Sequence, residues 1–165
     1  MKRVLVIGSP GAGKSTLAAE LARRSGLPLY HLDQLYWQPG WIEPDPDQWR
    51  ASLEALLDQP RWIIDGNYGG SLPARLKRAD TVVDLQVPAW RCLARVLGRV
   101  RAHRGRVRPD MAPGCEERLD WRFLLDIACF PFTVRRRVDQ RLAAFKGRRI
   151  RLSTDAEIAA FLATL

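Results

Sequence analysis

One short segment near the amino terminus limits the fold of this chain more than any other feature. Residues 8–15 read Gly-Ser-Pro-Gly-Ala-Gly-Lys-Ser, which fits the pattern G-x-x-x-x-G-K-[ST] without a gap. An apolar run, Lys2–Ile7, precedes the segment, and Ser15–Ser25 follows it with Leu17 and Leu21 on one helical face. A strand, a glycine-rich turn and a helix in this order are typical of a phosphate-binding loop, or P-loop. The segment therefore predicts an α/β fold.

Each part of the motif has a physical task. The glycines let the backbone curl so that several N–H groups point at one phosphate, and the following helix adds the positive end of its dipole. Lys14 is predicted to reach the β- and γ-phosphates as a catalytic residue, and the Ser15 hydroxyl is predicted to bind Mg²⁺. ATP and Mg²⁺ are the expected cofactors, and the predicted nucleotide-binding residues are Gly8, Pro10, Gly11, Ala12, Gly13, Lys14, Ser15 and Thr16.

The rest of the chain alternates short apolar runs with segments of helical periodicity, a pattern that indicates βαβ units around a parallel sheet. With 165 residues and no internal repeat or linker, we expect one domain over residues 1–165. Pro131 is expected to break a long helical stretch, and Thr154 with Glu157 predicts a capping box and a final helix. The remaining predicted elements are strands at 27–32, 62–64, 81–86 and 149–152, helices at 46–57, 72–78, 88–104 and 120–145, and an aromatic loop at 33–44.

The composition places the chain among ordinary globular proteins, with 47% apolar and 27% charged residues. No apolar run approaches the ~18 residues that a membrane span needs, and the first apolar stretch is too short for a signal peptide. We therefore expect a cytoplasmic protein without a membrane partner, as a monomer or weak dimer. His31 and His103 lack partners at metal-ligand spacing. Three cysteines without C-x-x-C spacing argue against a disulfide framework and a zinc ribbon: Cys92, Cys115 and Cys129.

The net charge of +9 is concentrated in one part of the chain. The stretch 91–151 carries 17 basic and 6 acidic residues, whereas the remainder carries 10 basic and 12 acidic residues. Arginine supplies 23 of the 27 basic residues, and its planar fork binds phosphate oxygens in a bidentate way that lysine does not. The basic half is therefore predicted to contact the phosphates of either a nucleotide or a nucleic-acid backbone.

The P-loop by itself does not specify a reaction. A GTPase would carry a base-reading N-K-x-D segment, which this sequence lacks, and an AAA+ module or an ABC domain would need a much longer chain. Small kinases remain. Such an enzyme needs an acceptor site, a carboxylate near Mg²⁺ and a cationic lid over the transferred phosphoryl group.

Four further segments carry a resemblance to known proteins: residues 31–37 (His-Leu-Asp-Gln-Leu-Tyr-Trp), 39–41, 62–68 (Trp-Ile-Ile-Asp-Gly-Asn-Tyr) and 110–115. With the P-loop, they make the chain resemble the adenylate-kinase-like P-loop kinases, and more closely the bacterial DNA topology modulation protein family. The resemblance implies a three-layer fold of nucleotide-kinase type. It has a five-stranded parallel sheet of order 2-3-1-4-5 and an arginine-rich helical lid, which we place at 99–120.

The same resemblance implies a phosphotransferase that moves the γ-phosphoryl group of ATP to a small-molecule or nucleotide acceptor. The alternative is a nucleic-acid-associated P-loop NTPase that modulates DNA topology, with the basic half as its binding surface. We find no helix-turn-helix pattern, and a kinase lid accounts for the same arginines. DNA is therefore retained as a partner that the sequence does not favour.

Two arginines resemble the start of the adenylate kinase lid, where the first lies against adenine and the second contacts phosphate. They are Arg95 and Arg99, which are four residues apart and so share one helix face. The resemblance assigns both to ATP binding and Arg99 also to catalysis, whereas a solvated basic helix is the alternative. It places the remaining lid arginines on the lid loop and its return side: Arg104, Arg106, Arg108, Arg118 and Arg122.

A metal-side carboxylate is also implied. Asp65 follows an apolar run and precedes glycine, which is similar to the D-G of adenylate kinases whose carboxylate orients a Mg²⁺-bound water. Asp84 lies in a similar apolar run and is the competing candidate. We assign Asp65 with Ser15 to the metal and expect Asp84 to be structural.

The acceptor side departs from adenylate kinases. Their T-x-x-x-[ML]-R segment is absent, Asn67-Tyr68-Gly69 replaces F-P-R, and Arg75 is the nearest downstream arginine. A strand ending in Asp33 before Tyr36 instead resembles the acceptor side of uridine-kinase-type and shikimate-kinase-type enzymes, whose aspartate accepts a proton from the attacking hydroxyl. Aromatic residues are predicted either to form a wall for a ring or to pack as a small satellite core. The predicted substrate-binding set, with Trp41 beside it, is Asp33, Tyr36, Trp37, Asp65, Tyr68 and Arg75.

Overall fold

A computed structural model describes residues 1–165, and its centre is one parallel sheet with the strand order β2-β3-β1-β4-β5. This is the order 2-3-1-4-5 that the resemblance implied. The strands are β1 (Arg3–Gly8), β2 (Leu29–His31), β3 (Trp62–Asp65), β4 (Thr81–Leu85) and β5 (Arg148–Leu152). The helices are α1 (Lys14–Ser25), α2 (Leu32–Tyr36), α3 (Pro46–Leu57), α4 (Leu72–Arg78), α5 (Ala89–His103), α6 (Trp121–Cys129), α7 (Val134–Ala143) and α8 (Asp155–Ala163).

The central strand β1 pairs with β3 on one side and β4 on the other, with Val4 opposite Ile63 and Thr81. Because all the strands are parallel, their carboxyl ends meet at one edge of the sheet. Val4–Ile7 is apolar without alternation, which is typical of a strand covered on both faces. The P-loop therefore leaves the sheet from a buried strand at its centre.

Two apolar layers enclose the sheet. Alternate residues of β1, Val4 and Val6, pack with α1, α5, α6 and α8 on one face. Their neighbours Leu5 and Ile7 pack with α3, α4 and α7 on the other face. The result is the predicted three-layer α/β architecture. No helix is both long enough and apolar enough to pass through a membrane.

Local sequence signals explain where several helices begin. The Asp45 carboxylate accepts hydrogen bonds from the N–H groups of Asp47 and Gln48, both at 3.0 Å, and Pro46 occupies the first position of α3. Thr154 accepts from the N–H of Glu157 in α8. The Glu157 carboxylate in turn accepts from the N–H of Ser153, one residue before the helix cap. The predicted capping box is therefore present in a form displaced by one residue.

The structure differs from the prediction around residue 33. β2 ends at His31, and a short helix, α2, replaces the first part of the predicted aromatic loop. Asp33 consequently lies in the first turn of a helix and does not end a strand. The long stretch 120–145 divides into α6 and α7, with Pro131 in the interval, as predicted.

Candidate active site

A cavity of about 640 Å³ opens at the carboxyl edge of the sheet. Its walls come from the P-loop (residues 8–16), the aromatic loop (33–41), the segment 65–68 and the stretch 95–123. In open α/β sheets this edge is where ligands bind. This cavity is therefore where the predicted site residues are expected to lie.

Most of the predicted P-loop residues line the cavity: Pro10, Gly11, Gly13, Lys14, Ser15 and Thr16. The N–H groups of Gly11 and Gly13 donate to no protein acceptor, and those of the first turn of α1 are free as at any helix start. Gly11 has φ +78°, and an added Cβ would lie 2.5 Å from the Cys92 carbonyl oxygen. This loop can therefore aim several donors at one anion only with glycine at that position.

Two predicted nucleotide-binding residues, Gly8 and Ala12, do not line the cavity. An added Cβ on Gly8 would lie 2.5 Å from the Leu85 carbonyl oxygen, so this glycine is needed for contact with β4. Ala12 is fully buried, and its carbonyl accepts a hydrogen bond from Arg95 at 3.0 Å. Both residues shape the loop from behind its cavity-facing side, and their contact with a nucleotide stays a prediction.

Asn67 holds the start of the P-loop in a way that the sequence did not indicate. Its side-chain amide donates to the Gly8 carbonyl at 2.6 Å and accepts from the Gly8 N–H at 3.1 Å. The Asn67 side chain thereby pairs with both the N–H and the carbonyl group of Gly8. The only available signal was the place of Asn67, two residues after the end of β3, which neighbours β1.

Lys14 curls back into the P-loop, where its Nζ donates to the Ser9 carbonyl at 3.0 Å. Burial lowers the pKa of this ammonium group, and the negative charges of Asp65 and Asp33 partly offset that effect. The lysine therefore lies between the anion-binding loop and two carboxylates.

Asp65 ends β3 directly opposite His31 of β2. His31 Nδ1 lies 2.9 Å from Asp65 Oδ2. The other carboxylate oxygen, Asp65 Oδ1, is buried and has no hydrogen-bond partner. Asp65 lines the cavity. Burial by itself would lower the pKa of His31, but the hydrogen bond and charge of Asp65, with Asp110 and Asp33, raise it overall. The sequence did not indicate this pairing of His31 with Asp65.

The donors in this region suit a hard cation. A buried carboxylate oxygen without a partner and the Ser15 hydroxyl both line the cavity. Mg²⁺ typically takes one or two protein ligands together with waters and substrate phosphates, so one carboxylate and one hydroxyl are enough to hold it. The residues present therefore fit the predicted ion.

Asp33 is held by Tyr68, whose hydroxyl donates to Asp33 Oδ1 at 2.6 Å. Tyr68 has φ +31°, a left-handed conformation that is unusual for a bulky residue and is frequent at functional sites. Burial, reinforced by Asp33, raises the pKa of the Tyr68 hydroxyl, so it stays protonated as a donor. One oxygen of Asp33 thus has a fixed partner, and both residues line the cavity.

The aromatic loop forms part of the cavity wall and also packs on a small core of its own. Trp37 and Trp41 line the cavity, with ring centroids 5.5 Å apart, and they also pack on a small core of Met111, Ala112 and Cys115. Tyr36 does not line the cavity. Its ring centroid lies 4.8 Å from that of Tyr68 and 5.1 Å from that of Trp49, so it supports the cavity wall from behind, and its predicted substrate contact stays a prediction.

Arg75 does not line the cavity either. Its side chain is fully buried, and it donates to the carbonyls of Gly66, Asn67 and Tyr68 and to the Ser71 hydroxyl. Burial lowers the pKa of the guanidinium to about 9, which leaves it charged at neutral pH. The arginine fixes the backbone turn after β3, and it has no donor directed at the cavity.

Arg95 and Arg99 both line the cavity from one face of α5. Arg95 donates to the Ala12 carbonyl at 3.0 Å and pairs with Asp155 at 2.9 Å. Arg99 pairs with Glu117 at 3.2 Å, and burial with the nearby Arg108 charge lowers its pKa. Arg95 therefore contacts the P-loop directly and Arg99 lines the same cavity, while their predicted contacts with ATP stay predictions.

Glu117 is a buried acid that the sequence analysis did not single out. Its carboxylate contacts Arg99, and its Oε2 also lies 2.6 Å from Arg108 Nε, while Arg108 pairs with Asp110 at 3.0 Å. Arg108 and Arg118 line the cavity as well. Three of the other arginines implied for this region do not: Arg104, Arg106 and Arg122.

The segment 99–120 lies across the cavity and contacts the aromatic loop on its far side. The Gly40 N–H donates to the Gly114 carbonyl at 3.0 Å, and Trp41 Nε1 donates to the Glu116 carbonyl at 3.2 Å. Gln34 donates to the Pro109 carbonyl. With the Trp37 and Trp41 packing described above, these bonds form a seam between the aromatic loop and the segment 99–120.

Asp84 lies outside the cavity. It is fully buried and pairs with Arg135 at 2.7 Å and with Arg149 at 3.0 Å. Both arginines belong to the basic half of the chain. The structural role expected for Asp84 agrees with this placement.

Comparison with the models of known protein families finds no match. Among curated proteins, the adenylate kinase of Streptomyces avermitilis is 28% identical over 128 residues, which cover 59% of this chain and 57% of that enzyme. The adenylate kinase of Mycobacterium ulcerans is 30% identical over 130 residues, which cover 61% of this chain and 71% of that enzyme. The chain thus matches little more than half the length of the Streptomyces enzyme.

Solved structures share the architecture at low sequence identity. A shikimate kinase from Acinetobacter baumannii in complex with shikimate matches with a TM-score of 0.61 and 15% identity, covering 99% of this chain and 90% of that one. A gluconokinase from Sinorhizobium meliloti matches with a TM-score of 0.57 and 17% identity, covering 99% and 92%. These similarities confirm the fold class.

Proposed function

The chain belongs to the adenylate-kinase-like P-loop kinases, and from this premise we propose that it transfers the γ-phosphoryl group of ATP, with Mg²⁺, to a hydroxyl group of a small molecule. One observation carries the proposal. A single cavity brings Lys14 together with two carboxylates, Asp65 and Asp33, that have different partners. A site of this kind has separate groups for the phosphates and for an attacking alcohol.

On the nucleotide side, the free N–H groups of the P-loop bind the β-phosphate region, and Lys14 lies against the oxygens of the transferred group. Ser15 and Asp65 would hold Mg²⁺, which when bound neutralises charge on the β- and γ-phosphates. His31 fixes the orientation of Asp65 through Oδ2 and leaves Oδ1 available. Arg95 and Arg99 add positive charge from the opposite wall.

On the acceptor side, Asp33 receives the proton of the attacking hydroxyl. Tyr68 occupies Oδ1, which leaves Oδ2 free to accept that proton. The hydroxyl oxygen forms a bond to the γ-phosphorus as the bond from that phosphorus to the bridging oxygen breaks. The products are a phosphorylated acceptor and ADP, with the proton on Asp33.

The curated relatives are adenylate kinases, but the arginine that could receive a nucleotide monophosphate in this chain is occupied. Arg75 is fully buried, and its guanidinium donates hydrogen bonds to backbone carbonyls. A carboxylate base is also of no use to a phosphate acceptor, which carries no hydroxyl proton to remove at neutral pH. These observations support a hydroxyl acceptor over AMP.

We also propose that residues 99–120 act as a lid on a single domain, 1–165. The segment carries Arg99, Arg108 and Glu117 into the cavity wall and contacts the aromatic loop across the opening. A lid that excludes water protects the transferred phosphoryl group from hydrolysis. The contacts between the segment and the aromatic loop support this role.

The DNA alternative loses part of its electrostatic argument, because five of the 17 basic residues in the stretch 91–151 have partners or positions inside the protein. Arg95, Arg99 and Arg108 face the cavity, and Arg135 and Arg149 pair with buried Asp84. These cations are not displayed for a duplex backbone. The finer resemblance to the DNA topology modulation family stays a prediction.

The proposal is tested with purified protein and γ-labelled ATP against nucleosides, nucleotides, sugars and shikimate-like alcohols, with Mg²⁺ or with EDTA. We expect transfer of label to an alcohol in the presence of Mg²⁺ and none in EDTA. Protein that fails to bind ATP under these conditions would contradict the proposal.

A DNA arm of the same experiment uses Arg99→Ala. The variant should lose phosphoryl transfer, whereas the salt dependence of any duplex binding should be unchanged. In a plot of log affinity against log salt concentration, the slope is about 0.9 for each phosphate contacted. Sub-micromolar duplex binding at about 150 mM salt, lost in Arg99→Ala with transfer intact, would favour the DNA alternative.

A further inference from the structure

We infer that Glu117 is a positioning residue for phosphoryl transfer, because its carboxylate holds the cationic side chains of Arg99 and Arg108 together in the cavity wall. The inference rests on the proposed function, in which Arg99 adds positive charge at the transferred phosphoryl group. Glu117 acts on the reaction through that arginine, by fixing where its charge lies.

The carboxylate of Glu117 is buried between two cations. Its side chain is 6% exposed, and its Oε1 lies 3.2 Å from Arg99 Nη2 while its Oε2 lies 2.6 Å from Arg108 Nε. All three side chains line the cavity. Arg99 belongs to α5, whereas Arg108 lies in the loop that follows this helix. One buried acid thus joins two separate parts of the segment 99–120.

The two guanidinium groups are close enough to repel each other. Burial and the charge of Arg108 lower the pKa of Arg99, whereas the Glu117 carboxylate raises it. The Arg99 side chain is 26% exposed and that of Arg108 is 11% exposed, so water screens this repulsion only in part. A carboxylate between the two cations offsets the repulsion, and we expect the cations to move apart when it is removed.

The two arginines do not depend equally on Glu117. Arg108 also pairs with Asp110 at 3.0 Å, whereas Glu117 is the only group that accepts a hydrogen bond from the Arg99 guanidinium. A guanidinium has several N–H donors, and Arg99 Nε is buried without a partner. Arg99 therefore keeps donors for a phosphate oxygen while Glu117 holds its position.

The backbone of Glu117 is fixed as well. Its N–H donates to the Arg106 carbonyl at 2.9 Å, and its carbonyl accepts from the Gly105 N–H at 3.2 Å. The carboxylate therefore enters the cavity wall from a hydrogen-bonded turn. The preceding residue, Glu116, is exposed and lies outside the cavity, so it supplies a control acid on the same stretch of backbone.

The test is a double-mutant cycle of Glu117→Gln and Arg99→Ala. ADP formation from Mg-ATP is measured with the best acceptor among the compounds tested above. Glu117→Gln should lower kcat about 10-fold, because Arg99 is no longer held against the transferred group. In the Arg99→Ala background the same change should alter kcat by less than about threefold. An equal loss in both backgrounds would overturn the inference, because Glu117 would then act without Arg99.

Binding of Mg-ATP, measured by calorimetry, separates positioning from a simple effect of charge. Loss of a negative charge from the cavity wall favours an anion, so the Kd of Glu117→Gln should be unchanged or lower while kcat falls. A parental kcat with a lower melting temperature would show a purely structural role and would also overturn the inference. Glu116→Gln should keep the parental kcat and Kd, and equal losses of kcat in the two glutamine variants would count against Glu117.

Glu117→Asp keeps the charge at a shorter reach and should retain more of the parental kcat than Glu117→Gln. This variant replaces Glu117→Gln in the cycle if the glutamine variant does not fold, and it should then lower kcat only where Arg99 is present. Parental protein that binds no Mg-ATP, or that phosphorylates no acceptor, would instead contradict the proposed function. An active parent with an additive cycle contradicts the role of Glu117 alone, so the two failures are distinguishable.

Discussion

The two ends of the cavity are built in different ways. The phosphate-binding part of the nucleotide end is made by consecutive residues, 8–16, whose contribution is mostly backbone N–H groups held by glycine conformations. The acceptor end is made by side chains from three separate segments, 33–41, 67–68 and 108–118. One end depends on a local motif and the other on tertiary packing.

This difference determines how far the effect of a substitution spreads. A change within the P-loop alters phosphate contacts but leaves the aromatic loop and the segment 99–120 in place. A change at the acceptor end affects the seam that joins those two segments, or the turn that Arg75 holds. Catalytic and structural consequences should therefore separate at the nucleotide end and mix at the acceptor end.

The largest effect is expected for Lys14→Ala. The ammonium group acts on phosphate charge and not on packing, so kcat should fall by about 10³-fold or more with little change in melting temperature. Steady-state kinetics and thermal melting measure the two quantities. Turnover at the parental rate would break the assignment of the nucleotide end.

Asp33→Asn should have the next largest effect. Loss of the proton acceptor should lower kcat by about 10²–10⁴-fold while the Kd for ATP is unchanged. Tyr68→Phe removes only the hydrogen bond to Oδ1 and should cost less. Near-normal turnover of Asp33→Asn with AMP or another monophosphate would show that the acceptor end is a phosphate site.

Arg75→Met tests the structural side of the acceptor end. Several carbonyls lose their buried donor, so the free energy of unfolding should fall by about 3 kcal/mol. Urea denaturation measures it. Arg78→Met on the same helix is the matched control, because its ion pair with Asp58 is exposed and should be worth under about 1 kcal/mol. Equal losses in the two variants would contradict the role of Arg75.

The smallest effect is a pH dependence at a distance from both ends. Burial would raise the pKa of Asp84, but hydrogen bonds from Arg135, Gln86 and Arg149 hold it below its usual value. The stabilisation is present above the unfolded pKa of about 3.9 and is lost as pH falls through the lower folded pKa. Urea denaturation between about pH 5 and pH 2.5 should show a smaller loss of stability in Asp84→Asn than in the parent. An identical slope would contradict this assignment.

The sequence predicted the parts that local patterns control. The P-loop, the strand order and the bounds of α4 at 72–78 follow from motif, alternation and resemblance. Arg75 shows the limit, since an arginine looks the same in a sequence whether it faces a substrate or fills a buried turn. His31 meets Asp65 only through the register of two strands 34 residues apart, and Glu117 meets Arg99 only when the segment 99–120 folds back. Pairings of this kind depend on tertiary geometry.

The seam between the aromatic loop and the segment 99–120 has a kinetic consequence. If the segment 99–120 acts as the proposed lid, tryptophan packing and backbone hydrogen bonds separate when a ligand enters or leaves. We then expect opening and product release to be slow compared with chemistry, as in other enzymes with closing segments. In that case kcat should fall as solvent viscosity rises, because Trp37 and Trp41 must separate from Met111 in each cycle. The same dependence is expected for acceptors that react at different intrinsic rates.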